Sequence, residues 1–304
     1  MEIFSHTSSE AQLPNQNPTQ PGPVETPSSP TAKLELEDLY CILQVDPGNS
    51  LIALDLARRL RGQGRIDEAL RISKGVVKID YRFETVLALG QIEYQMDMID
   101  ESFAHLQEAL LIAPDASDLF FELFKTLGNI SVRRGDLDSA EDSYNKAHRI
   151  NPRSDILFVN FGTLSIQRQG WDEATLRFQK ALEINSSNDK AWVGLALCHR
   201  IKSDFELAWG NIEAALEYNP LNEVALGLAL EWGAQDGREF RALELIRSFL
   251  IEGGWNEKMS LAFAWLSWRR NEGHIARFEL ERLLAVNPGN EAAINLVAQI
   301  REHA

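Results

Sequence analysis

Apolar residues along this chain recur three and four positions apart, and the helices that they mark recur in turn. The first set, Leu34, Leu36, Leu39, Ile42 and Leu43, predicts one amphipathic helix closed by Asp46-Pro47-Gly48. Beyond it, three stretches share one plan: GDLDSAEDSYNKAHRINPRSD (135–155), GWDEATLRFQKALEINSSND (170–189) and SDFELAWGNIEAALEYNPLNE (203–223). Each reads as a turn, an acidic first helical turn, a small residue, an amphipathic helix and a breaker. The period is 34 residues, room for two helices and their turns. Such a period predicts a solenoid, in which each two-helix unit buries its apolar faces against its neighbours alone.

The units align as 50–82, 83–116, 121–154, 155–188, 189–222, 223–256 and 257–290. A small residue falls in the first helix of most units, at Ala57, Gly90, Gly128, Gly162, Ala196 and Ala264. Another opens the second helix, at Ala69, Ser102, Ala140, Ala174, Ala208, Ala242 and Ala276. Alanine returns at Ala109, Ala147, Ala181 and Ala215, and proline ends units at Pro114, Pro152, Pro220 and Pro288. Small residues let paired helices approach, and Phe124, Phe158, Trp192 and Leu226 fill the space beside them. On these residues, 50–304 resembles the tetratricopeptide repeat family. The resemblance implies an all-α, right-handed superhelical solenoid of about seven helix-turn-helix units, with 34–49 as a leading helix and turn. Residues 291–304, with Ile294, Val297 and Ile300 on one face, are then a terminal capping helix. Departures fall late in the chain: Leu230 takes a small position, and Phe249 and Leu283 replace alanine. Residues 117–120 are an insertion of about one turn.

Composition narrows the function. Thirty basic side chains face 45 acidic ones, a net charge of −15, which argues against nucleic-acid binding and against anionic lipid. The longest nearly apolar stretch, 259–268, is too short to span a membrane. Two cysteines, Cys41 and Cys198, make no disulfide framework, and the chain opens without a secretory pattern; a cytoplasmic location is expected. Residues 1–33 hold six prolines between positions 14 and 30 and show no apolar periodicity, so no packed structure is expected there.

Candidate chemistry is sparse. The six histidines lack metal-ligand spacing, no glycine loop cradles a phosphate, and acidic pairs such as Asp172-Glu173 sit where they complement helix dipoles. No cofactor or metal is expected, and an enzyme is the weakest of three readings. The first reading is a non-catalytic scaffold that holds a partner protein or peptide in a concave groove; the resemblance implies that the first helices line it. The second is an adaptor that captures a partner's C-terminal carboxylate. Its residues are Lys125, Asn129, Asn160 and Lys190, four of the five positions of the family's dicarboxylate clamp. Two ammonium groups and two amides that converge can hold a carboxylate by charge-assisted hydrogen bonds. The fifth position is Gly194 where the family has arginine; Arg200 is a substitute cation, and arginine restored at Gly194 is expected to tighten binding. A second constellation, Trp265, Trp268 and Arg269, offers interface anchors three and four residues apart on one helix. The same rings could instead fill the wider helix spacing left by Phe249 and Leu283.

Overall fold

The computed structural model of the chain describes residues 34–302; the proline-rich stretch 1–33 and His303 lie outside the described residues. Every regular element among the described residues is an α-helix, and there are 16. They fall into two compact units that part between Ile79 and Asp80.

The first unit holds α1 (Leu36–Val45), α2 (Ser50–Gly62) and α3 (Ile66–Ile79). Asn49 caps α2 by accepting the Ile52 N–H, which satisfies one of the free donors at a helix start. Leu39, Leu56, Ala57, Leu60 and Ala69 are fully buried. Tyr40 donates its hydroxyl to Glu68, which also takes the Arg65 guanidinium at 2.7 Å.

The second unit is a run of helical hairpins: α4 (Phe83–Gln95) with α5 (Ile99–Leu111), α6 (Phe120–Arg133) with α7 (Leu137–Ile150), and α8 (Asp155–Gln167) with α9 (Trp171–Ile184). There follow α10 (Asp189–Ile201) with α11 (Phe205–Tyr218), α12 (Glu223–Asp236) with α13 (Glu239–Ile251), and α14 (Glu257–Arg269) with α15 (Gly273–Val286). A single helix, α16 (Glu291–Glu302), ends the described chain. Each helix packs chiefly on its hairpin partner and on the next helix in sequence, as a solenoid requires. The insertion 117–120 lies mostly in the turn ahead of α6.

One left-handed residue per unit turns the chain inside the hairpin: Gly135, Gln169, Ser203, Gly237 and Asn271 all have positive φ. They stand 34 residues apart, so the turn geometry repeats even where the residue is not glycine. A second ladder joins one unit to the next. Asn188 caps α10 and also donates its amide to Asp155, at the start of α8, at 2.9 Å; Asn185 donates to the same carboxylate at 2.7 Å. Asn222 and Asn219 repeat this on Asp189, and Asn290 and Asn287 on Glu257, while Asn256 alone reaches Glu223. Burial alone would raise the Asp155 carboxyl, but the Asn188 and Asn185 amides outweigh it and hold the group below its ordinary value.

The first helices mark the inner side of the bend. Helices two apart in the chain approach each other at α4–α6, α6–α8, α8–α10 and α14–α16, and all of these are first helices. In repeat six Leu230 stands in the small position, and α12 meets α13 less extensively than the other hairpin partners of this unit meet.

Candidate functional site

A groove of about 660 Å³ runs over the first-helix side of α8, α10 and the start of α12. Val159, Val193 and Leu197 supply its apolar surface, and the buried Phe178 ring of α9 lies beneath it. The ring fits because two glycines flank it. A Cβ at Gly162 would lie 2.6 Å from Phe178, and one at Gly194 only 2.4 Å. Asn160 and Lys190 stand at the rim. Asn160 is half-buried and Lys190 exposed, and the lysine makes no ion pair among the described residues.

The four predicted clamp residues do not converge as free groups. Lys125 turns to Glu122, one turn earlier on its own helix, at 2.7 Å, and lies over the Phe121 ring. Asn129 accepts two hydrogen bonds on its Oδ1, from the Tyr144 hydroxyl at 2.8 Å and from Asn160 Nδ2 at 2.9 Å. Burial pushes the Tyr144 phenol well above its ordinary value, so it stays a donor. The two asparagines therefore tie α6 to α8, and Asn160 is left with one N–H and its carbonyl for the groove. Only Asn160 and Lys190 of the four line this groove.

Arg200 is no replacement for the missing cation. It grips both oxygens of Asp236 at 2.6 and 2.9 Å, donates to Gln235, and is stacked over Phe205 and Trp232. Trp209 Nε1 joins the same carboxylate at 3.2 Å. The Arg200 hydrogen bond, aided by Trp209, holds the Asp236 carboxyl below its ordinary value. The expectation that arginine at Gly194 tightens binding is also overturned, because its Cβ would enter the Phe178 ring.

A second groove of about 440 Å³ crosses α12, α14 and α16, lined by Leu230, Lys258, Leu261, Trp265, Asn295 and Leu296 among others. Superposition on known structures defines the architecture. A tetratricopeptide repeat protein from Parabacteroides merdae matches 82% of this chain and 97% of its own, with a TM-score of 0.51 and 15% identity. The fold is that of the tetratricopeptide repeat. PilF of Pseudomonas aeruginosa matches 71% of this chain and 97% of its own, at a TM-score of 0.51 and 17% identity. The APC/C hetero-tetramer Cut9–Hcn1 matches 88% of this chain and 46% of that one, at a TM-score of 0.54 and 14% identity. No protein-family model matches the chain, and no curated protein matches it in sequence.

At the C-terminal end of this tetratricopeptide stack the aromatic residues separate. Trp265 is 41% exposed in the second groove and carries the Arg269 guanidinium over its ring at 4.8 Å. Arg269 also pairs with Glu239 at 2.7 Å. Trp268 packs partly buried against Ala264, Leu280 and Leu283 in the core of the last units. Of the two rings, Trp265 is the one offered to a groove ligand. Among the described residues no group of three or more His, Cys, Asp or Glu could hold a metal, and no helix is long and apolar enough to cross a membrane. Both cysteines are free thiols, and burial pushes Cys198 up.

Proposed function

We propose that the chain is a non-catalytic interaction scaffold that holds a segment of a partner protein against its first helices, in the groove of α8, α10 and α12. The observation that carries this reading is the groove itself: an open apolar channel with an amide and an unpaired ammonium at its rim. Those are the groups that grip a peptide backbone and one acidic side chain while its apolar side chains are buried. A reaction centre finds less support. Thr163, the hydroxyl in the groove, is spent on the Val159 carbonyl, and Asp189 on the Asn219 and Asn222 amides. The acidic composition favours a protein over a nucleic acid as the partner.

Placing a photo-reactive residue at Thr163 or Val224, both exposed on the groove, tests the reading. Each should cross-link to a partner co-purified with the protein, whereas the same residue at Leu176, exposed on the second helix α9, should not. Cross-linking from Leu176 alone would move the interaction off the groove. Comparing the partner's C-terminal peptide as free acid and as amide decides whether a terminal carboxylate contributes; equal affinity removes the clamp reading.

A further inference from the structure

The second position of each repeat unit reads Glu122, Ile156, Lys190, Val224, Lys258 and Ala292, each 34 residues from the next. From Ile156 onward the residues lie at the starts of successive first helices and face solvent, Ile156 at 52% and Val224 at 63% exposure. Apolar and cationic side chains therefore alternate along one edge of the groove. Lys190 lines the first groove and Lys258 the second, with Val224 between them on the first. Neither lysine has an ion-pair partner among the described residues, although an acid precedes each one. The reason lies in the ladder: Asp189 and Glu257 are both taken by asparagine amides of the following turn.

Packed helices lie about 8–10 Å apart, which sets the order of the step from one such position to the next. A polyproline-II chain advances about 9 Å in each three-residue turn and returns to the same face, whereas a β-strand puts its third residue on the opposite face. It also has no internal hydrogen bonds, so its backbone groups are open to Asn160 in the first groove and to Asn295 and Gln299 in the second. We infer that the groove selects a proline-rich polyproline-II segment of a partner protein in which apolar and acidic side chains alternate at every third residue. The acids face Lys190 and Lys258, and the apolar residues cover Ile156 and Val224. This inference rests on the groove reading above and adds the register of its ligand.

The test uses the full chain and fluorescein-labelled synthetic peptides, read by anisotropy. The first carries leucine and glutamate alternately at every third residue of a proline-rich backbone. The second carries them at every second residue, and the third has lysine for glutamate. The first peptide should bind, should weaken as salt rises, and should bind about tenfold more tightly than the second, a difference of the order of one charged hydrogen bond. Lys190→Glu and Lys258→Glu should each weaken it by about tenfold, and the double variant should prefer the lysine peptide. Both lysines are exposed, so circular dichroism should show these variants folded; the spacing comparison needs no variant at all. Equal binding of the two spacings, no binding of either, or variants that bind as the parent does, would overturn the register. If the peptides fail while cross-links from Thr163 persist, the groove stands and this inference falls. If the cross-links also fail, both fall.

Discussion

A methyl group added at Gly128 would sit 2.3 Å from the Tyr144 ring, and one at Gly194 would sit 2.4 Å from Phe178. Neither ring is the loose end of a flexible chain, since both are buried where two helices cross. Gly128→Ala and Gly194→Ala should therefore each lower stability by roughly 1–3 kcal/mol, the cost of overpacking. Gly210, helical with open space around it, makes the contrast: Gly210→Ala should raise stability by up to about 1 kcal/mol. Urea unfolding of the three variants checks the signs, and parent-like stability for Gly128→Ala would contradict the packing. Glu93 is a different case. Its carboxylate is buried and meets His105 Nδ1 at 2.6 Å. Removal of that partner by His105→Leu should cost about 3 kcal/mol or more, because a buried charge loses its counterpart. The double variant Glu93→Leu/His105→Leu should recover much of this loss, and a double-mutant cycle measures it. At this scale the sequence showed which positions are small but not what presses on them. Gly128 and Gly162 stand out by period alone. Gly194 resembled a vacancy left by a missing arginine, and only the Phe178 ring from the preceding unit shows that the position is filled. Arg200 looked free for a similar reason, since its partner Asp236 lies 36 residues away in the next unit.

Between elements, the asparagine ladder does two jobs with one side chain. Asn188 and Asn222 each cap a helix and brace the acid that begins the preceding repeat. Loss of either as alanine should cost about 1–2 kcal/mol, at the upper end for a cap because the inter-repeat bond goes with it. Asn145→Ala, an exposed change that leaves both the cap and the ladder intact, is the control, measured by the same urea titration. The ladder also sets an acid limit. Asp155 and Asp236 are both depressed in the folded state, so the stability that they supply is complete above the unfolded carboxylate value of about 4 and fades as pH falls through their lower native values. Acid titration followed by circular dichroism should show that loss below about pH 4, and Asp236→Asn should blunt it. The helices themselves were legible because hydrophobic period, acidic first turns and breakers agree at each boundary. The ladder was present in the spacing of Asn188, Asn222, Asn256 and Asn290, yet its meaning requires the acid 33 residues earlier, a pairing that only the stacked geometry displays.

Across the second unit as a whole, cohesion is uneven. The hairpins of repeats three to five close over fully buried small residues, whereas Leu230 occupies the equivalent place in α12 and that hairpin closes less extensively. In a nearest-neighbour stack such a weak place opens by itself. Native-state hydrogen exchange should show α12 and α13 exchanging ahead of α8 to α11; uniform protection across these helices would refute the uneven closure. Leu230 shows why the sequence marked this region without resolving it: a large residue at a small position signals altered packing, but not that it lines a second groove with Trp265.

The spacing of the cap asparagines makes the repeats interchangeable parts. If residues 189–222 were excised, Asn188 would stand directly before Glu223, in the place that Asn222 holds now. It would cap α12 and still reach Asp155, so the joint would close without a mismatched rung. Such a shortened chain would keep a continuous stack but lose Lys190, and Ile156 would be followed by Val224. Loss or gain of one 34-residue cassette thus rewrites the order of charges that the groove presents while leaving the rules that hold the stack together untouched.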